Sequence, residues 1–359
     1  MKNNKLFALL VFLSCFLQTL FAQDQGKLIQ RSIHSHHLEQ SLSNESADRN
    51  ISIYLPPSYE TDNSKRYPVI FLLHGIGGTN KDWFLPGLGG EKFTDIKEVM
   101  DYGIKEGVFG EMIIVMPDQN THWFGSFYTN SPVTGNWEDF TTEELVAYVD
   151  ENFRTLAKKE SRGIAGHSMG GYGALSLAIR HPDIYSLVYG LSPAIIEFTA
   201  DLASDQEFYR KVLRAKSFDE LRQTNDFLAM GAVTVAQAFS PNIERPPFYV
   251  DMPFKEIDGK LSPNYPAYNK WLEKSPIRMI ESYRENFDLL KGIGFDVGDQ
   301  DEFSFILLNS QTFSKSLHEA GIDHFFEVYS GDHRNQLMGE KGRFYKKLLP
   351  FFSKRLEFQ

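Results

Sequence analysis

The sequence predicts an α/β fold with a mostly parallel central sheet and helices on both faces. Short runs rich in Val, Ile, Leu and Phe recur along the chain and alternate with helical patterns. One of these runs leads through a Gly-x-Ser-x-Gly sequence directly into a helix-forming segment. The 359 residues are enough for one large domain of this kind with an insertion.

The strand-like runs are bounded by turn residues, and they lie at 51–55, 69–73, 112–116, 163–165, 187–190, 292–297 and 325–329. Helical patterns lie between and after them, at 141–155, 171–180, 303–320 and 337–357. The helix at 141–155 is predicted to begin with the capping signature Thr-Thr-Glu-Glu. No helical pattern separates the strands around 30–56, so we expect the sheet to begin with antiparallel strands.

The first 22 residues are typical of a secretory signal peptide. A positively charged start, "MKNNK", precedes an apolar run that ends at the small residue Ala22. Cleavage would give a secreted or periplasmic protein, residues 23–359, with no stable membrane insertion. The alternative is an uncleaved membrane anchor, because the apolar run is near the shortest length that spans a bilayer. The single cysteine, Cys15, lies in this segment, so the mature chain would have no disulfide.

The region from 195 to about 290 interrupts the alternation of strands and helices. It lacks a convincing strand and mixes helical stretches with Pro- and aromatic-rich ones. So long an excursion within a sheet fold predicts a cap or insertion, and caps in such folds often gate an active site. The alternative is a set of ordinary packing helices.

Charge and composition exclude several classes of partner and ligand. The net charge is −10 and there is no basic block, so we expect no nucleic-acid binding. His34, His36 and His37 form a cluster, but no carboxylate spacing typical of a metal site accompanies them. We therefore expect these histidines to be solvated, and we predict neither a metal site nor a cofactor.

Ser168, in "AGHSMGG", is the first candidate for chemistry. A nucleophile on a sharp strand-to-helix turn needs small neighbours two residues away on each side, and Gly166 and Gly170 occupy those positions. The turn would expose the hydroxyl at a helix N-terminus, where developing negative charge is favoured. The backbone N–H of Met169 would then be one donor to an oxyanion.

The second feature is "LLHGIGG", in which the apolar strand at 69–73 runs directly into a glycine-rich loop. Such a loop can supply the other N–H of an oxyanion hole, because glycines let the backbone approach a tetrahedral intermediate. The spacing fits neither a dinucleotide-binding loop nor a P-loop. We expect His74, at the base of the loop, to be structural.

An acid and a base complete the set. His333 follows the last predicted strand, whereas His324 precedes it. The loop after the preceding strand carries Asp299 and Asp301, and the residues alone do not decide between them. Asp296 lies within that strand and is a poorer candidate. The chain order Ser, Asp, His suits an acyl-transfer triad.

Five segments together resemble the esterase D-like family: "LLHGIGGTNKDW", "SFYTNSPVTGNWEDFTTEELVAYVDENFRT", "AGHSMGGYGAL", "GDQD" and "SGDH". That family includes feruloyl and acetyl-xylan esterases, S-formylglutathione hydrolases, enterochelin esterases and mycolyltransferases. The resemblance, over about 30–195 and 292–355, implies the α/β-hydrolase fold. It implies that Ser168 is the nucleophile, Asp301 the acid and His333 the base, with the N–H groups of Ile76 and Met169 as the oxyanion donors.

The sequence and the resemblance together predict an exported serine carboxylesterase that acts through an acyl-enzyme. The expected partner is a small-molecule or polysaccharide ester, most readily a carbohydrate-linked feruloyl or acetyl ester. Alternatives are acyl transfer to a sugar alcohol, as in mycolyltransferases, and thioester hydrolysis. A non-catalytic binding protein on a hydrolase scaffold is a further alternative, but such a protein would not need all three of Ser168, Asp301 and His333.

Overall fold

The computed structural model describes residues 25–84 and 92–359. The predicted signal peptide, residues 1–22, lies outside the described residues. Within the described part of the chain, no helix combines the length and apolar character needed to cross a bilayer.

The strands of the described residues are β1 (Lys27–His34), β2 (Asp48–Leu55), β3 (Val69–Leu73), β4 (Ile113–Pro117), β5 (Asn130–Ser131), β6 (Gly135–Asn136), β7 (Arg162–His167), β8 (Leu187–Leu191), β9 (Phe254–Ile257), β10 (Lys260–Pro263), β11 (Gly292–Gly298) and β12 (Phe325–Tyr329). Eight of them form the main sheet in the order β1-β2-β4-β3-β7-β8-β11-β12. β2 is antiparallel to both β1 and β4, and the other pairs are parallel. The predicted parallel sheet with an antiparallel start is therefore confirmed.

The α-helices are α1 (Ile96–Lys105), α2 (Trp137–Asp139), α3 (Leu145–Asn152), α4 (Met169–Arg180), α5 (Glu207–Arg214), α6 (Phe218–Gln223), α7 (Phe227–Phe239), α8 (Tyr265–Glu273), α9 (Pro276–Ser282), α10 (Arg284–Phe287), α11 (Ser304–Glu319) and α12 (Leu349–Ser353). A π-helical turn, Phe140–Glu144, joins α2 to α3, and another, Phe344–Leu348, precedes α12.

Two helix predictions need correction at their ends. The helix predicted to begin at Thr141 begins four residues earlier, and the Thr141 hydroxyl donates to the Trp137 carbonyl instead of capping the helix. The helix predicted at 337–357 is helical only from Phe344 to Ser353. Gly339, at φ 95°, keeps the preceding residues out of helical geometry.

Alternate residues of the sheet point into two separate cores. On β3, Val69, Phe71 and Leu73 belong to the larger core, and Ile70 and Leu72 belong to the other. This period of two buries both faces of the parallel strands. The larger core continues into the 195–290 region, so that region packs as part of the same domain.

The 195–290 region holds α5 to α10 and, contrary to the prediction, a two-stranded hairpin. β9 and β10 pair antiparallel around Asp258 and Gly259, whose φ values are 50° and 75°. Positive φ at both central residues is typical of a tight hairpin turn with an Asp-Gly sequence. That dipeptide, between "KEI" and "KLS", was the signal that could have predicted the hairpin.

Candidate active site

Ser168 lies at the turn between β7 and α4, in a backbone conformation that residues other than glycine rarely adopt. Its φ is 57° and its ψ is −118°. A Cβ atom on Gly166 would lie 2.3 Å from the Gly170 carbonyl oxygen, and one on Gly170 would lie 2.2 Å from the Leu73 carbonyl oxygen. Because both clashes are with backbone, the two glycines are what allow this turn.

His333 and Asp301 form a buried pair in the loops that follow β12 and β11. Nδ1 of His333 lies 2.7 Å from Oδ2 of Asp301, and at most 2% of either side chain is exposed. Oδ1 of Asp301 accepts a hydrogen bond from the backbone N–H of Phe303, whose ring packs edge-on against the imidazole. The carboxylate and the ring are thus held in one orientation.

The neighbouring acids have other partners. Asp299 accepts a hydrogen bond from the backbone N–H of Gly331 at 3.1 Å, and Glu302 accepts one from the backbone N–H of His333 at 3.3 Å. Both acids therefore shape the histidine loop through its backbone. Among the candidate acids of the sequence, Asp301 is the one that contacts the imidazole.

Asp296 is fully buried and faces away from this pair. Its Oδ2 accepts hydrogen bonds from the hydroxyl of Tyr189 and from Nε of Arg343. Desolvation raises the pKa of Asp296 to about 6, although Arg343 and Tyr189 oppose that rise. The carboxylate is a structural link between β8, β11 and the segment before α12.

Two further histidines are structural neighbours of the site. Nε2 of His74 accepts a hydrogen bond from the backbone N–H of Gln119, and burial lowers the pKa of His74. Nε2 of His167 donates to the backbone carbonyl of His333, and burial holds the pKa of His167 well below its usual value. His324, by contrast, pairs with Ser314, outside the site.

The glycine-rich loop presents its backbone beside Ser168. The N–H groups of Ile76 and Met169 have no acceptor among the described residues, and both residues line a cavity with Ser168. Gly77, at φ 73°, donates to the Phe124 carbonyl and so fixes the loop. The N–H of Met169 belongs to the first turn of α4, where the helix dipole favours negative charge.

Two cavities meet at Ser168. The first encloses about 570 Å³, open solvent included, and its walls are almost entirely apolar. The second encloses about 830 Å³ on the same measure, and its lining combines Asp82, His167, His333 and Arg334 with apolar side chains, among them Trp83, Phe124, Phe227 and Phe303. We call them the apolar cavity and the polar cavity. The sequence could not predict either one, because their walls come from distant segments of the chain.

Comparison with known proteins then establishes the family. Residues 43–339 match the family model described as "Putative esterase". The chain belongs to this family of carboxylic ester hydrolases. The predicted family is confirmed, and with it the broad class of carboxylic ester hydrolase.

Two curated relatives match part of the esterase chain. An esterase of Mycobacterium tuberculosis strain H37Rv is 34% identical over 134 residues, which are 36% of this chain and 26% of the relative. An endo-1,4-beta-xylanase/feruloyl esterase of Xylanibacter ruminicola is 31% identical over 137 residues, 37% of this chain and 18% of the relative. The matched part thus spans about a quarter or less of these relatives.

Solved structures share the fold of this esterase. A ferulic acid esterase superposes with a TM-score of 0.63 at 23% identity, and the match covers 93% of this chain and 99% of that one. An S-formylglutathione hydrolase of Staphylococcus aureus superposes with a TM-score of 0.54 at 15% identity, over 92% and 99% of the two chains. The predicted α/β-hydrolase fold is confirmed.

The histidine cluster near the N-terminal end of the esterase has carboxylate neighbours that the sequence interpretation overlooked. Nδ1 of His34 lies 2.7 Å from Asp48, and its Nε2 lies 2.9 Å from Glu39, which also contacts His36 at 3.2 Å. Hydrogen bonds with both carboxylates raise the pKa of His34. Asp48 was missed because it reaches His34 across the β1–β2 pair, not through local spacing.

Proposed function

We propose that this esterase is a serine carboxylesterase with Ser168 as nucleophile, His333 as general base and Asp301 as the acid that orients it. The observation that carries the proposal is the buried 2.7 Å contact between His333 and Asp301 beside a serine on a strained strand-to-helix turn. A serine is a weak nucleophile until an oriented base takes its proton. His333, oriented by Asp301, lines the same cavity as Ser168, which supports it as that base.

The reaction follows from these positions. The Ser168 hydroxyl oxygen attacks the ester carbonyl carbon while Nε2 of His333 takes the hydroxyl proton. The N–H groups of Ile76 and Met169 donate to the oxyanion, and Asp301 stabilises the imidazolium. The imidazolium returns the proton to the departing alcohol. A water, deprotonated by the same imidazole, then releases the acid and restores Ser168.

The two cavities support a division of the substrate between acyl and alcohol sides. The polar cavity presents the Asp82 carboxylate and the Arg334 guanidinium near His333, the base that must protonate the leaving alcohol. Hydroxyl-rich alcohols such as sugars suit such a lining. We therefore propose a carbohydrate-linked ester as the substrate. The family resemblance suggests feruloyl or acetyl as its acyl group, but this proposal concerns the alcohol side and leaves the acyl group open.

Export is part of the proposal. It rests on the signal-like sequence of residues 1–22, in which a positively charged start precedes an apolar run and Ala22. Mass spectrometry of the protein recovered from the native host tests this point. A mature N-terminus at Gln23 is expected, and an intact N-terminus at Met1 would contradict cleavage.

Turnover of short p-nitrophenyl esters tests the catalytic proposal. We expect Ser168→Ala to lower kcat by at least about 10³-fold, because loss of the nucleophile leaves only binding and the oxyanion donors. Ser176→Ala is the matched control, since Ser176 is a buried serine of the same helix, α4. An inactive wild type, or a Ser168→Ala variant as active as Ser176→Ala, would refute the proposal.

A further inference from the structure

We propose, on the basis of the proposed function, that the acyl group of the substrate is longer than acetyl and apolar to its end. We further propose that it binds in the apolar cavity, where Gly231 on α7 sets the space available to it. The proposal concerns the acyl class alone, so it can fail while the serine esterase proposal stands.

The walls of the apolar cavity come from three parts of the chain. The body of the fold contributes Ile76, Phe127 and Met169. The 195–290 region contributes Phe208, Leu228, Val235 and Trp271, and α11 contributes Phe305 and Ile306. Each methylene group that is buried from water strengthens binding about fourfold. An acetyl group would leave most of this lining without contact.

The polar side-chain atoms of this lining are already engaged, apart from the Ser168 hydroxyl. The Tyr209 hydroxyl donates to the Leu202 carbonyl at 2.9 Å, and Nε1 of Trp271 donates to the Ser240 hydroxyl at 2.8 Å. A hydroxyl on the far end of a bound acyl group would lose its hydrogen bonds to water without gaining a side-chain partner, which weakens binding. The lining therefore disfavours a phenolic acyl group such as feruloyl.

The other side of Ser168 suits the alcohol better than the acyl group. The polar cavity has apolar walls as well, but of the two cavities it is the one lined by charged residues, Asp82 and Arg334. An apolar tail there would displace their water without replacing its hydrogen bonds. Ser168 lines both cavities. The acyl group and the alcohol can thus extend into different cavities from one ester bond.

Gly231 is the position at which the chain leaves this space open. A Cβ atom there would have one neighbour within 4 Å, the Cδ1 atom of Ile76 at 3.8 Å. Gly231 lies inside α7, where alanine and leucine are better suited to the helix than glycine. A larger side chain at 231 would therefore fill the cavity without disturbing the helix.

A series of p-nitrophenyl esters tests the proposal, because the shared leaving group makes the acyl group the variable. We expect kcat/KM for the octanoate to exceed that for the acetate at least tenfold, from the methylenes that the cavity buries. Cinnamate should be cleaved at least fivefold faster than ferulate, which adds a hydroxyl and a methoxy group to the same skeleton. The octanoate and cinnamate arms distinguish an aliphatic from an aryl acyl group.

Variants of Gly231 connect the preference to the cavity. Gly231→Leu should lower the ratio of octanoate to acetate kcat/KM at least tenfold, and Gly231→Ala should lower it less. Gln223→Leu is the matched control, since it adds the same side chain on the exposed surface of the same region. Melting temperatures near that of the wild type would show that the variants fold. If Gly231→Leu does not fold, the comparison rests on Gly231→Ala.

Two results would overturn the proposal. The first is a wild type that prefers acetate, or that cleaves ferulate faster than cinnamate. The second is an octanoate-to-acetate ratio that is the same in the folded Gly231 variants as in Gln223→Leu. Either result would leave the catalytic role of Ser168 intact, whereas a wild type inactive on every ester would refute the proposed function itself.

Discussion

At the scale of single residues, the sequence left one choice open, between Asp299 and Asp301. Both are loop acids three and five residues past Asp296, so local pattern treats them alike, and the family resemblance favours Asp301. In the fold, Asp299 binds the backbone N–H of Gly331 and Asp301 binds the imidazole of His333. The two acids differ because the loop after β12 brings different groups to each of them, and local pattern does not show how two distant loops meet.

Asparagine variants of the two acids should therefore differ sharply. Asp301→Asn keeps the shape but presents the wrong partner to Nδ1 of His333, so we expect kcat to fall by about 10³- to 10⁴-fold. Asp299→Asn loses one charge-assisted hydrogen bond to a loop backbone and should lower kcat less than tenfold. Steady-state kinetics on one p-nitrophenyl ester measures both. Comparable losses in the two variants would contradict the assignment of the acid.

At the scale of elements, the turn between β7 and α4 was predictable because every feature that it needs lies within one short stretch of sequence. A strand, a Gly-x-Ser-x-Gly sequence and a helix-forming run appear in order, and only small residues fit the flanking positions. The β9–β10 hairpin was missed, and the helix predicted at 337–357 is helical only over Phe344–Ser353. A residue at positive φ lies in the hairpin turn, Asp258, and another before the helix, Gly339, and the sequence interpretation gave neither residue any weight.

The turn makes a specific prediction about Gly170. A Cβ atom there would lie 2.2 Å from the carbonyl oxygen of Leu73, a backbone atom that cannot rotate away. We expect Gly170→Ala to lower the free energy of unfolding by about 3 kcal/mol or more and to displace Ser168, because overpacking forces backbone shifts. Urea denaturation measures the first effect and ester turnover the second. Gly231→Ala, the same change at an open site, is the control, and equal stability of the two variants would contradict the prediction.

At the scale of the whole molecule, the sequence predicted the sheet but not the cavities. The walls of the apolar cavity come from positions between Ile76 and Ile306 in the chain, and no local pattern brings them together. The 195–290 region shares the larger core with the body and supplies part of the wall of the apolar cavity. Its role as a cap stays a prediction of the sequence.

Stability as a function of pH tests the buried link at Asp296. The pKa of this carboxyl is about 6 in the folded chain, against about 3.9 for an unperturbed aspartate. Since the folded state holds the proton more tightly, the contribution of Asp296 to the free energy of unfolding falls as pH rises from about 4 to about 6, by about 1.4 kcal/mol for each pH unit.

Asp296→Asn removes this titration, although it also weakens the contact with Arg343 at every pH. We therefore expect the stability of the variant relative to the wild type to improve by about 2 to 3 kcal/mol between pH 4 and pH 7. Urea denaturation of both proteins at the two pH values measures the change. A difference that stays constant with pH would show that burial does not raise the pKa of this carboxyl.

The most direct test of the central claim, that Ser168 is an activated nucleophile, is covalent labelling with an alkyl fluorophosphonate followed by mass spectrometry. We expect one adduct per chain on the tryptic peptide 163–180, which contains both Ser168 and Ser176. Labelling should persist in Ser176→Ala and disappear in Ser168→Ala. An unlabelled wild type, an adduct on another peptide, or a Ser168→Ala variant that still reacts at this peptide would contradict the account.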